Sequence, residues 1–597
     1  MTPLAHEREG SFFSSLSLGK REIPDHLVRR AAEVVEAMAI FDRVDEWERE
    51  ARKGPGGRPR TFPLHALITG FVLVASMGEA LHLSNVCDVL FRSISSTMRG
   101  ELGVSEPSSD WNGSGRKAAY RTVRTRFHGL LDLMDPSDRP KDRRLDPVAY
   151  TFLFEQRLAR RTDADREEAY ERLSWFINRL LEASFQMLPR EIRRQWNGSA
   201  SVDATVIPAF ARAERRGPGK KWRDRPVLRH SSDPDCGYYV RGPDGRDDEN
   251  GPKKLDTAIW GSEASLVVCG HVSGLGEPLF PVLVIGMPPL HVPGREPGQN
   301  AVRALKSIVD RGHPTGYLAA DNNYSAAKPE NFQLPARGLG YDPVLSYRDD
   351  QLGIQAQWKG LILVEGEWYC PAMPESLISA TQELRAGRID DETYGKRIEA
   401  RHAHQARPKG KPDAEGHLRL LCPAAQGAPT ARCGLKPKTD VADPSVQRVR
   451  IRLSGELKDH PPACCRQESV TVPPQAGAKF SQALQFGSPK HSMVYATLRN
   501  AMEGMNGFLK DSAWEGIGDP QRRRVRGVAA QSVLVAFQIM AGNLRKIDSF
   551  VRKLRQREAA QTDGQKPRKR RRTTKPIQSW LSECGSAGGR DRAPPGE

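Results

Sequence analysis

The chain has 597 residues, too many for one ordinary domain; 38% are hydrophobic and 27% charged, enough for most of it to fold around cores. A formal net charge of +18 and a pI of about 9.6 favour a polyanionic partner, usually nucleic acid, although charge alone also fits an ordinary basic protein. Nine cysteines in this length exclude a disulfide scaffold, MTPLAHEREG lacks the pattern of a secretory signal, and the longest apolar run, Leu64 to Ser76, is too short to span a bilayer, so a reducing cytoplasm beside the nucleoid is expected.

Residues 22–50 read as helix, opened by Pro24 and Asp25, with Leu27, Ala31, Val34, Val35 and Met38 at helical spacing. ARKGPGGRPRTFP follows, a Gly, Pro and Arg loop whose Arg58 and Arg60 suit a minor groove or a phosphate track, or a solvated linker. Helical patterns fill residues 62–100 and 114–195, so a helical N-terminal region, expected to bind DNA ends, spans 1–196. The pattern changes at residue 199. SASVDATVIPAF, KKLDTAIWGSEASLVVCG and EPLFPVLVIGMPPL read as strands, QNAVRALKSIVDRG as an amphipathic helix, and TGYLAADNNYS and YDPVLSYR as two further strands. This order, over 197–350, predicts an α/β fold with a mixed-sheet core. Residues 351–489 read as a strand-bearing insertion with a charged helix near 380–405. Helix returns over 490–515 and again over 516–558, and the basic tail 559–597 is disordered by composition.

Two aspartates stand out. Asp203 interrupts the apolar strand SVDATVI, where an unpartnered carboxylate is costly, and Asp321 ends the strand GYLAAD, where it can project into a cleft. Either alone also fits a structural turn or cap. The third candidate lies in MVYATLRNAMEGMNGFLKD. On a helical wheel Lys510, Arg499 and Tyr495 fall at about −20°, −40° and −80° from Glu503, opposite Val494, Leu498, Ala501, Met505 and Leu509. Gly504 and Gly507 inside this helix cost roughly 1 kcal/mol each relative to alanine, which suits close approach of a backbone or phosphate.

This helix resembles the Y-R-E-K signature of DDE-type bacterial insertion-sequence transposases: Tyr, two residues, Arg, three, Glu, six, Lys. Arg499, Glu503 and Lys510 match that spacing; Tyr495 stands one residue further from Arg499 than the pattern asks. The resemblance implies an RNase H-like core, a first Asp on the first core strand (Asp203) and a second after the fourth (Asp321), where Asn322 and Asn323 replace part of the family's usual Gly-Tyr. It implies that Asp203, Asp321 and Glu503 bind two Mg²⁺ or Mn²⁺, that Tyr495, Arg499 and Lys510 hold end DNA, and that a homodimer works on double-stranded element ends and target. The implied activity is DNA cleavage followed by strand transfer. An immobile DNA-binding descendant, or an RNase H-like nuclease without strand transfer, are the alternatives.

Cys422, Cys433, Cys464 and Cys465 lie in the insertion and Cys370 near its start. Thiolates close in space can bind structural zinc. The spacing lacks paired CxxC knuckles, however, and a CC dipeptide does not easily give two ligands to one tetrahedral ion, so ordinary buried cysteines are the expectation. His402 and His404 read as solvated.

Overall fold

A computed structural model describes residues 22–52, 62–218, 225–241, 257–272, 280–436, 448–453 and 455–562. Arg58, Arg60 and the basic tail beyond residue 562 lie outside these. Among the described residues no helix is long and apolar enough to cross a membrane.

The N-terminal region is helical, as its periodicity predicts. The helix expected over 22–50 is two, α1 (Asp25–Ala37) and α2 (Phe41–Glu50), because Ala39 turns through a left-handed φ of 48°. The apolar run forms α3 (Leu64–Ser76), buried on every side as an all-round apolar helix must be. Next come α4 (Arg116–Leu131) and α5 (Asp163–Gln186), the latter opened by a capping box between Thr162 and Asp165.

The central sheet has six strands: β1 (Ala200–Pro208), β2 (Gly237–Arg241), β3 (Thr257–Cys269), β4 (Val284–Gly286), β5 (Tyr317–Ala320) and β6 (Asp342–Val344). Its order is β2–β3–β1–β5–β6, with β4 beside β3 on the edge that β2 also uses. β1 runs antiparallel to β3 and parallel to β5, and β5 runs parallel to β6. The sheet is therefore mixed. β4 is shorter than its apolar run suggests, since Pro281, Pro288 and Pro289 flank it and proline cannot donate to a ladder. Two buried asparagines serve its outer edge instead. Asn543 accepts from the Val284 amide and donates to the Val284 carbonyl, and Asn178 does the same for Met287.

Helices cover both faces. Helix α6 (Pro297–Asp310) packs on the face of Ala200, Val202, Val267 and Leu318. The other face, with Ala264, Leu266 and Val268, joins one large core shared with the N-terminal helices, α7 (Pro489–Lys510) and α8 (Val528–Thr562).

The described residues of 351–489 form two small three-stranded sheets and a two-stranded parallel ladder, Ala431–Arg432 with Val449–Arg450. One contains the hairpin Leu361–Val364 and Glu367–Tyr369, turned by Glu365 and Gly366 at positive φ; the other contains Leu418–Leu421 and Ser469–Val472. The charged helix expected near 380–405 is two helices, Ala380–Arg385 and Asp391–Ala400, parted by Gly387 in the left-handed region. His402 is exposed, but His404 is buried, contrary to the sequence expectation: the short 3-10 turn after the second helix carries it inward.

Candidate active site

Asp203 and Asp321 come together through strand pairing. Ser201 lies opposite Ala319 and Val202 opposite Ala320 in the parallel pair, so the next step of the register sets Asp203 beside Asp321. Side chains alternate across a sheet, and both acids share the face of Ala319, which packs on Val494 and Leu498 of α7. Asp321 also caps the one-turn helix Asn322–Ser325, its Oδ1 accepting from the Asn322 amide at 2.7 Å. Asp203 Oδ1 likewise accepts from the Ala204 amide at 2.8 Å. In each case one oxygen is committed to the backbone, and the second oxygen of Asp203 is left toward Arg499.

Helix α7 brings the rest. Its buried stripe is His491, Val494, Leu498, Met502, Met505 and Leu509. Met502 takes the place the wheel gave to Ala501, which is only half-buried. Arg499 lies over the sheet between two acids. Its Nη1 is 3.6 Å from Asp203 Oδ2 and its Nη2 is 3.3 Å from Glu503 Oε1. The Glu503 side chain is 63% exposed, whereas Arg499 is 14% exposed. Tyr495 is half-buried beside Ala319 and Val344, its ring parallel to that of His491 at 6.0 Å. Lys510 ends the helix in solvent, nearly two turns beyond Glu503. A Cβ added to Gly504 or Gly507 would meet nothing within 4 Å, so both glycines bare the helix backbone along the stripe that carries Glu503.

Burial pushes the Asp203 carboxyl above its ordinary value, opposed by Arg499 and reinforced by Asp321 and Glu503. Burial works against the Arg499 charge, yet the surrounding acids, Asp203 foremost, hold its pKa above the usual one. Three carboxylates thus face one arginine, and the site carries a net negative charge that a divalent cation would neutralise. The donors are hard oxygens, as Mg²⁺ requires. They do not crowd one point: among the described residues, the group of three ligating atoms within 4.8 Å of one another is Asp413, Glu415 and His417. That group is a surface turn in which Asp413 Oδ1 accepts from the His417 amide at 2.7 Å.

Sequence reasoning missed a polar layer on the opposite face of β3. Glu263 accepts from the Gly294 amide at 2.9 Å, and Ser265 Oγ lies 3.0 Å from His291 Nε2. Burial drives the His291 imidazole down to about 4, so it is neutral at pH 7. Tyr324, on the helix that Asp321 caps, is buried against the same face, in the cluster with Val202 and Val267. A carboxylate inside the apolar run WGSEASLVV is the same signal that singled out Asp203. A cavity of about 350 Å³, lined by Arg139, Tyr170, Asp235, His291, Arg295 and Arg303 among others, lies apart from the three acids.

No family model, curated protein or solved structure matches this chain.

Proposed function

We propose that this chain is a DDE-type transposase with an RNase H-like core. The observation that carries the reading is the convergence of Asp203, Asp321 and Glu503 around Arg499 on one sheet face. The sheet supports it: β1, β2 and β4 all run antiparallel to β3, β5 runs parallel to β1 and β6 parallel to β5, and Asp321 stands at the carboxyl end of β5, the strand beside β1.

In this reading Asp203, Asp321 and Glu503 hold two Mg²⁺ or Mn²⁺ ions, which together assist the attacking and leaving oxygens of phosphodiester transfer. The chain's own residues do the positioning. The Ala204 and Asn322 amides fix the two aspartates, and Arg499 keeps Asp203 and Glu503 oriented and takes a phosphate oxygen by a charge-assisted hydrogen bond. Lys510 and Tyr495 lie along the same helix as further DNA contacts. Duplex DNA, a homodimer spanning two element ends and a nucleoid location belong to this proposal.

The test is a strand-transfer assay with the DNA flanking the gene as ends, with Mg²⁺, comparing wild type with Glu503→Gln. The expected result is cleavage and joining by wild type and neither by the variant. Cleavage without joining would favour a nuclease. Full activity in the variant would sink the site assignment.

A further inference from the structure

The insertion spreads five cysteines between residues 370 and 465, and the fold gathers them. Cys370, Cys422 and Cys433 share one small apolar cluster with Ala424, Ala431 and Ile451. Cys465 lies in the adjoining cluster, joined to theirs through Leu435, which packs on both. None of these cysteines is in a disulfide.

The backbone around them repeats itself. Each of the first three opens the same reverse turn: Met373 N–H donates to Cys370 O at 3.0 Å, Ala425 to Cys422 O at 2.8 Å, and Lys436 to Cys433 O at 2.9 Å. Two of these turns read Cys-Pro-Ala.

We infer that Cys370, Cys422, Cys433 and Cys465 form a tetrahedral thiolate site for a structural zinc ion. The CC dipeptide supplies one ligand, Cys465. Its neighbour Cys464 has its sulfur against Gly360, whose added Cβ would lie 3.0 Å from it, and serves packing. Among the described residues no three of the sulfurs lie within 4.8 Å of one another, wider than the roughly 3.8 Å edge set by Zn–S bonds of about 2.3 Å. Zinc therefore draws the turns inward. The insertion needs such a tie because its apolar residues fall into several small clusters instead of one core. The ion would join the Leu361–Tyr369 hairpin to the sheet that holds Leu418–Leu421. This site does not rest on the transposase reading.

The experiment is metal analysis and cobalt substitution of the full chain, purified without a metal-chelating tag from zinc-supplemented cells. About one zinc per chain is expected in wild type and in Cys464→Ser, with most of it lost in Cys370→Ser and Cys465→Ser. Cobalt in its place should give sulfur-to-metal charge-transfer absorption with tetrahedral visible bands. Those bands report sulfur ligands only, so ions on the acidic site do not contribute. Wild type without zinc, or a cobalt form without sulfur charge transfer, overturns the site. Zinc lost in Cys464→Ser but kept in Cys465→Ser overturns the ligand set. Should the ligand variants not fold, the wild-type cobalt spectrum decides alone.

Discussion

Asp203, on a strand, and Glu365, in a hairpin turn, are both carboxylates held beside an arginine, but their surroundings differ. Glu365 Oε2 meets Arg401 Nη1 at 2.6 Å, with both side chains at most 1% exposed, and also accepts from Thr381. Arg401 fills its other donors with the Leu377 and Ile378 carbonyls. One charge meets one charge, and water is excluded. At Asp203 the nearest guanidinium nitrogen is 3.6 Å away, three acids share one arginine, and Glu503 opens the group to solvent. A closed, balanced pair holds structure. An open group with surplus negative charge is what the proposed metal site calls for.

That contrast is broken most forcefully by neutralising an acid in the open group. Asp203→Asn or Glu503→Gln should lower DNA cleavage on the order of 10⁴-fold, about 5.5 kcal/mol of barrier, in a gel assay with Mg²⁺. The melting temperature should hold, because Asp203→Asn removes a charge that burial already disfavours and Glu503 is mostly exposed. A large drop in melting temperature with residual activity would make the acids structural.

The closed pair should behave in the opposite way. Arg401→Met leaves the Glu365 charge buried without its partner and should cost about 3–5 kcal/mol, concentrated in the insertion. Limited proteolysis would find new cuts within 351–489 while α3 and α8 stay protected. Unchanged protease resistance would show that the pair contributes little.

The pH dependence separates the two sites further. Burial raises the Asp203 pKa above that of a free aspartate. A group raised on folding contributes stability that is present below its unfolded pKa and lost as pH rises through its folded one. Metal binding needs the ionised form and runs the other way. Activity at limiting Mg²⁺ should therefore fall about tenfold per pH unit below the folded pKa of Asp203, and that limb should move to lower pH as Mg²⁺ is raised. A limb that ignores Mg²⁺ would detach Asp203 from metal binding.

How far the sequence carries depends on whether a feature is local. The wheel of α7 places Arg499, Glu503 and Lys510 on one side because a helix repeats every 3.6 residues, and Leu64–Ser76 is legible as a buried helix for want of any polar face. Asp203 and Asp321 are visible singly as odd carboxylates at strand positions. Their adjacency is a matter of strand order, which no local period encodes. The same holds for the pairing of Arg401 with Glu365, for His404 turned inward, and for the cysteines, whose spacing hides a cluster made only when four segments meet. Proline explains the shortened β4, and a single left-handed residue, Ala39, splits the first helix; both effects are local, yet periodicity does not register them.

The smallest expected effect is the most discriminating for the surface of the open site. Gly504 and Gly507 face open space, so Gly504→Ala introduces no clash and should stabilise the helix by about 0.5–1 kcal/mol. Under the proposed function, the bare backbone at Gly507, about 40° round the helix from Glu503, leaves room for a DNA strand to approach. Gly507→Leu, one turn beyond Glu503, should accordingly fold as well as wild type yet bind element-end DNA about tenfold more weakly, roughly 1.4 kcal/mol in a salt-controlled titration. If Gly507→Leu binds those ends like wild type, the bare stripe is not where DNA lies, and Arg499 and Lys510 would have to meet phosphates from another side of the helix.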